Sequence, residues 1–187
     1  LGETTGQITR RLTSLGVQQR DQAGALVRTM TNHIASSARS QVMADNDDIL
    51  KGKRRVATLD GRTTPLCRAL DGTVVPMTAP SPPFHWNCRT TEIPVLKDEF
   101  ARDIPGSTRP AVGPDGAEQV SSKTTYGEWL ARQPAAFQED VLGPARYKLF
   151  SKGELTIDRF VDDDGRTLTL KQLREREPMA FQRAGLD

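Results

Sequence analysis

The chain has 187 residues, with 26 Lys plus Arg against 24 Asp plus Glu, 36% hydrophobic and 5% aromatic residues. That length suits one or two small domains with a modest core. The net charge of +2 is too small to announce a nucleic-acid binder by itself, and no run of about 18 apolar residues is present to span a membrane.

Proline divides the sequence. None precedes Pro65, and nine of the twelve lie between Pro65 and Pro114. Proline removes a donor and clashes inside a helix, so the first third can be helical and the middle cannot. Ile8, Leu12 and Leu15 predict a short helix that ends at Gly16. Residues 17–45 predict a long amphipathic helix. Ala23, Leu26, Val27, Met30, Ile34, Ala38 and Val42 follow steps of three and four, one helix face. That face is expected to bury Leu26, Val27, Met30, Ile34 and Ala38.

Lys51-Gly52-Lys53-Arg54-Arg55 then reads as a basic turn, followed by a strand over 54–59. Segments 66–70 and 73–75 flank Asp71-Gly72 and predict a hairpin. Pro80, Pro82 and Pro83 stiffen an extended loop. Residues 91–96 are a second strand, which Pro94 assigns to a sheet edge. Residues 98–125, crowded with Gly, Pro, Ser and Thr, read as a linker. Order returns with a helical turn over 128–133 and a helix opened by Pro134. A further helix carries Tyr147, Leu149 and Phe150. A last helix over 170–177 has the capping box Thr169-x-x-Gln172. The fold class is α+β, in four regions: helical 1–55, a β module 56–97 with a Cys/His cluster, the linker 98–125, and a mostly helical 126–187.

The densest chemistry is Pro82-Pro83-Phe84-His85-Trp86-Asn87-Cys88-Arg89, with Cys67 upstream. His85-x-x-Cys88 lets two side chains face one point, and Cys67 can return to it. Zinc favours thiolate and imidazole, and a structural site wants four ligands; three are nameable. Three readings stand: a metal site, a Cys67–Cys88 disulfide, or two small buried cysteines. Two cysteines in all favour a reduced, cytosolic setting over a secreted scaffold. Lys51, Lys53, Arg54 and Arg55 could contact phosphate, although such a run is usually a solvated turn. Asp162-Asp163-Asp164-Gly165 fails the calcium-loop pattern at Phe160 and Lys171, where it needs an oxygen ligand and Glu. No Gly-rich phosphate loop is present, since Gly52-Lys53 lacks the upstream glycine and the hydroxyl residue.

The run Thr58-Leu59-Asp60-Gly61-Arg62-Thr63-Thr64-Pro65-Leu66-Cys67-Arg68-Ala69-Leu70-Asp71-Gly72 resembles the hallmark of phage Mu F-like head morphogenesis proteins. So does Pro82-Pro83-Phe84-His85-Trp86-Asn87-Cys88-Arg89 followed by Ile93-Pro94-Val95. The resemblance covers residues 20–96 and is looser over 129–174. It places Cys67, His85 and Cys88 on the family's metal-type positions. Thr64 and Thr90 stand where many relatives have cysteine, which removes the obvious fourth ligands. The resemblance implies a minor head protein of a tailed double-stranded DNA phage or prophage, present in a few copies inside the capsid near the portal. Expected partners are the portal protein, the major capsid or scaffold protein and packaged double-stranded DNA, with no membrane. The rival reading is an enzyme, a nuclease or toxin-like effector. It needs a convergent set of acids, bases or nucleophiles, and no recognised catalytic signature is present.

Overall fold

The computed structural model describes residues 3–14, 20–102 and 104–186. The chain forms two compact units, one from Leu1–Arg55 with Val74–Ala101, the other from Val56–Thr73 with Arg102–Asp187.

The first unit opens with α1 (Thr5–Ser14) and α2 (Arg20–Ala44); the expected cap at Gly16 lies outside the described residues. The long helix forms as its periodicity predicts, but its buried side is different. Ala23 and Val27 are buried, whereas Met30, Ile34, Ala38 and Val42 are exposed and Leu26 is borderline at 36%. The mid-helix residues that face inward are polar. Asn32 Nδ2 donates to the backbone oxygen of Cys88 at 2.9 Å, and Ser40 Oγ meets Ser81 Oγ at 2.9 Å. Ser36, on the same side, is buried at 3%. This face of α2 covers the 81–90 loop as well as packing on the strand that follows it, and loop backbone needs hydrogen-bonding partners when buried.

The predicted basic turn is instead a strand, β1 (Leu50–Val56). It lies at the centre of a three-stranded sheet, between β3 (Val74–Val75) and the edge strand β4 (Thr91–Leu96), where Pro94 was expected to sit. The β1–β3 pair is antiparallel, with Lys53 opposite Val75. Gly52 is needed there: a Cβ on it would lie 2.7 Å from the Val75 carbonyl oxygen.

The second unit contains the larger core. β2 (Leu59–Asp60) pairs in parallel with β5 (Thr108–Gly113), which pairs antiparallel with β6 (Gly116–Ser121). The expected linker therefore holds a β-hairpin. The predicted 66–70/73–75 hairpin is also corrected: 66–70 lies in α3 (Pro65–Leu70). Pro65 takes the first helical position, where its missing N–H costs nothing. Gly72, at φ 81°, makes the turn after that helix.

Among the described residues, five α-helices and a short 3-10 helix (Ile157–Phe160) complete the unit: α4 (Tyr126–Ala131), α5 (Ala135–Leu142), α6 (Pro144–Ser151), α7 (Leu170–Arg176) and α8 (Pro178–Ala184). α7 starts at Thr169 with both capping-box bonds formed, as predicted. A second such box, Thr125 with Glu128, starts α4. The Thr125 backbone N–H and hydroxyl hold the Glu128 carboxyl below its ordinary pKa. α8 opens on Pro178 and was not foreseen. Leu59, Tyr126, Trp129, Leu130, Leu149, Leu173 and Phe181 pack in one apolar core, with Trp129 edge-on to Tyr126 and Phe137. The Asp162–Gly165 segment is a turn: Arg166 N donates to Asp162 Oδ1 at 2.7 Å and Gly165 N to Asp162 O at 2.9 Å.

Candidate metal centre

Cys67 is on α3 and is 2% exposed. His85 and Cys88 lie on the loop after Pro82 and Pro83. The Cys88 N–H donates to the His85 carbonyl at 3.2 Å, closing a tight turn. Asn87 adopts φ 59°, a left-handed conformation that asparagine tolerates better than most residues. Two bonds from α2 hold it: its N–H donates to Thr29 Oγ1 at 2.9 Å, and Arg28 Nε donates to its Oδ1 at 2.7 Å. With Asn32 on the Cys88 carbonyl, the long helix holds the turn at three points, two of them on its backbone.

Cys67, His85 and Cys88 form a cluster in which one ligand atom from each lies within 4.8 Å of the other two. Both cysteines are buried thiols, not joined as a disulfide. His85 Nδ1 sits 2.8 Å from the Trp86 carbonyl. A carbonyl oxygen can only accept, so Nδ1 carries the hydrogen and Nε2 keeps its lone pair. This is the arrangement that usually orients a metal-binding imidazole. On a tetrahedral zinc, sulfur and nitrogen ligands sit about 3.3–3.8 Å apart, given bonds near 2.0–2.3 Å. The donor types fit zinc, and a tetrahedral site would need a fourth ligand. Thr90, in place of a cysteine, is 1% exposed, and its Oγ1 has no hydrogen-bond partner among the described residues.

The four basic residues do not form one surface. A strand sends successive side chains to opposite faces, so β1 splits Lys51, Lys53 and Arg55 from Arg54. Lys53 is 2% exposed. Its ammonium donates to the Ala79 carbonyl at 2.7 Å and Ser81 Oγ at 2.6 Å, and pairs with Glu92 at 3.2 Å. Arg55 stacks on Phe84 at 4.9 Å and donates to the Pro80 carbonyl. These two cations hold the proline loop against the sheet and are not available to phosphate. Lys51 is exposed and pairs with Asp98; Arg54 is half-buried. Sequence reasoning missed Glu92 as the counter-ion. An acid at an alternate position of a predicted edge strand normally faces water, so the signal for its burial was weak.

The chain is thus an α+β fold whose long helix holds the turn that carries His85 and Cys88. Residues 1–93 match the family described as Phage Mu protein F like protein, and this part of the chain belongs to that family. The matched segment contains α1, α2, the first sheet as far as Ile93, and all three cluster residues. Membership points to phage head morphogenesis and to a structural part in it. No curated protein and no solved structure matches the chain. Among the described residues, no helix is long and apolar enough to cross a membrane.

Proposed function

We propose that this chain is a minor head protein of a tailed double-stranded DNA phage, docking on the portal inside the capsid during head assembly. Family membership carries the reading. The exposed face of α2 supports the docking step. Met30, Ile34 and Val42 are 47%, 65% and 63% exposed and recur every four or eight residues along one helix. An apolar row of this length on a water-facing helix is suited to a protein partner. Trp86, 65% exposed beside a turn pinned by α2, adds an aromatic anchor of the kind that dominates interfaces. Packaged DNA is a secondary contact at most, because the β1 run leaves few cations for phosphate.

The test is co-expression with the portal protein of the same phage. The wild-type chain should co-purify with it. Ile34→Asp should abolish co-purification while leaving thermal melting within about 0.5 kcal/mol of wild type, since the side chain is exposed. Loss of folding would return Ile34 to the core, and retained co-purification would take α2 out of the interface.

Cys67, His85 and Cys88 are proposed to hold a structural zinc, Cys67 and Cys88 as thiolates and His85 through Nε2. Metal held by two thiolates and an imidazole contributes folding free energy directly. Protein purified without chelator should carry about one zinc per chain by elemental analysis, on the one-site stoichiometry of such centres. Cys88→Ser should lose most of it. A metal-free chain that melts identically with and without added zinc would contradict this assignment.

A further inference from the structure

The second unit contains a cavity of about 230 Å³ whose lining includes none of the proposed metal ligands. Pro65, Val141, Leu142, Ile157 and Phe160 give it apolar walls, and Arg68, Arg146 and Thr167 are its polar lining. Among the described residues, no carboxylate lines it. Arg68 is offset from outside this wall by Asp60 and by the Tyr126 ring at 5.4 Å, but two arginines on one small, mostly apolar space still favour an anion there.

Arg68 donates through Nη1 to the Val141 carbonyl at 2.9 Å and through Nη2 to the Gly61 carbonyl at 3.1 Å. Arg146 donates through Nη2 to the Leu168 carbonyl at 2.8 Å. Those bonds fix both side chains in place. The Nε–H of each is buried and has no partner among the described residues. Burial lowers the Arg68 pKa below its ordinary value, against the opposing pull of Tyr126 and Asp60. An anion in the cavity would offer acceptors to these arginines and add to the countercharge that Asp60 gives Arg68.

We propose that this cavity binds a small organic carboxylate, one carboxyl group on a short apolar body. The two guanidinium groups take the carboxylate, as this ion does wherever planar anions are held. Val141, Leu142, Ile157 and Phe160 take the apolar body. The volume lies below the roughly 300–1,000 Å³ of drug-sized sites, which limits the ligand to about the size of benzoate. Inorganic phosphate matches the charge but leaves the apolar walls uncovered.

A titration of the full chain, followed by methyl NMR of Val141, Leu142 and Ile157, tests the proposal with three probes. Benzoate should give saturable shifts of these methyls. Benzyl alcohol, with the same body and no charge, and inorganic phosphate, with charge and no body, should each bind at least about tenfold more weakly, the equivalent of one charge-assisted hydrogen bond. Arg146→Met should weaken benzoate by a similar factor. Equal binding of phosphate and benzoate would overturn the ligand class. No saturable shift with any probe would show a cavity satisfied by water alone and overturn the site. The three-probe comparison on the wild-type chain decides the matter even if Arg146→Met fails to fold.

Discussion

Asp71→Ala should destabilise the second unit by about 3–5 kcal/mol, the usual cost of leaving one partner of a buried ion pair alone. The Asp71 side chain is fully buried and receives four donors. Arg109 reaches both carboxylate oxygens at 3.0 Å, the Ala57 N–H donates to Oδ1 at 2.7 Å, and the Tyr126 N–H donates to Oδ2 at 2.7 Å. One carboxylate thus ties the entry to β2, the hairpin strand β5 and the start of α4. Arg109 also donates to the carbonyls of Thr124 and Ala57. Removing Asp71 strands a buried guanidinium and two backbone donors together. Asp71→Asn keeps the volume but turns an NH₂ toward donors, so it should lose nearly as much. Urea unfolding followed by Trp129 fluorescence, in a Trp86→Phe background, isolates this unit because the chain has only two tryptophans. A loss below about 1 kcal/mol, the worth of an ordinary hydrogen bond, would mean that the pair is dispensable.

Glu92→Gln should destabilise the first unit by roughly 3 kcal/mol, by the same reasoning about an uncompensated buried charge. Glu92 is 3% exposed, pairs with Lys53 at 3.2 Å and lies 3.9 Å from Arg55 Nε. The variant leaves two cations near one site. The double variant Lys53→Met with Glu92→Leu should recover most of the loss, because apolar pairs of similar volume replace buried ion pairs with little penalty. Hydrogen exchange of β1 and β4 amides reads this unit directly. Equal loss in the single and double variants would show that the bonds from Lys53 to Ala79 and Ser81 matter more than the charge.

Legibility from sequence followed how local the determining physics was. β4 and its edge position came from residues 91–96 and Pro94 alone, and α7 came from its Thr169 cap. The length of α2 came from its periodicity, but its buried face did not. Apolar periodicity says which residues share a side. It does not say that a loop needing hydrogen bonds would claim Asn32 and Ser40 while leaving Ile34 to water. The hairpin over 108–121 was hidden by Pro110, Gly113, Pro114 and Gly116, all linker-like residues. Its strand is held by pairing with β2 and by Arg109 on Asp71, contacts about 40–50 residues away in sequence that a local window does not see. Asp71-Gly72 carried a strong turn signal, and a turn is there, but it closes a helix rather than a hairpin. The Cys/His cluster was legible as residue types and spacing. The split of the basic run was not, because it depended on that run being a strand.

The central claim is that this chain is a structural component of the phage head. Quantitative mass spectrometry of gradient-purified heads tests it most directly, comparing the abundance of this chain with the portal and major capsid proteins. The account predicts that it stays with intact heads through high-salt washing, in a few copies per head. Its absence from purified heads, together with turnover of DNA or RNA by the purified chain that His85→Ala abolishes, would contradict the account and favour the enzyme reading.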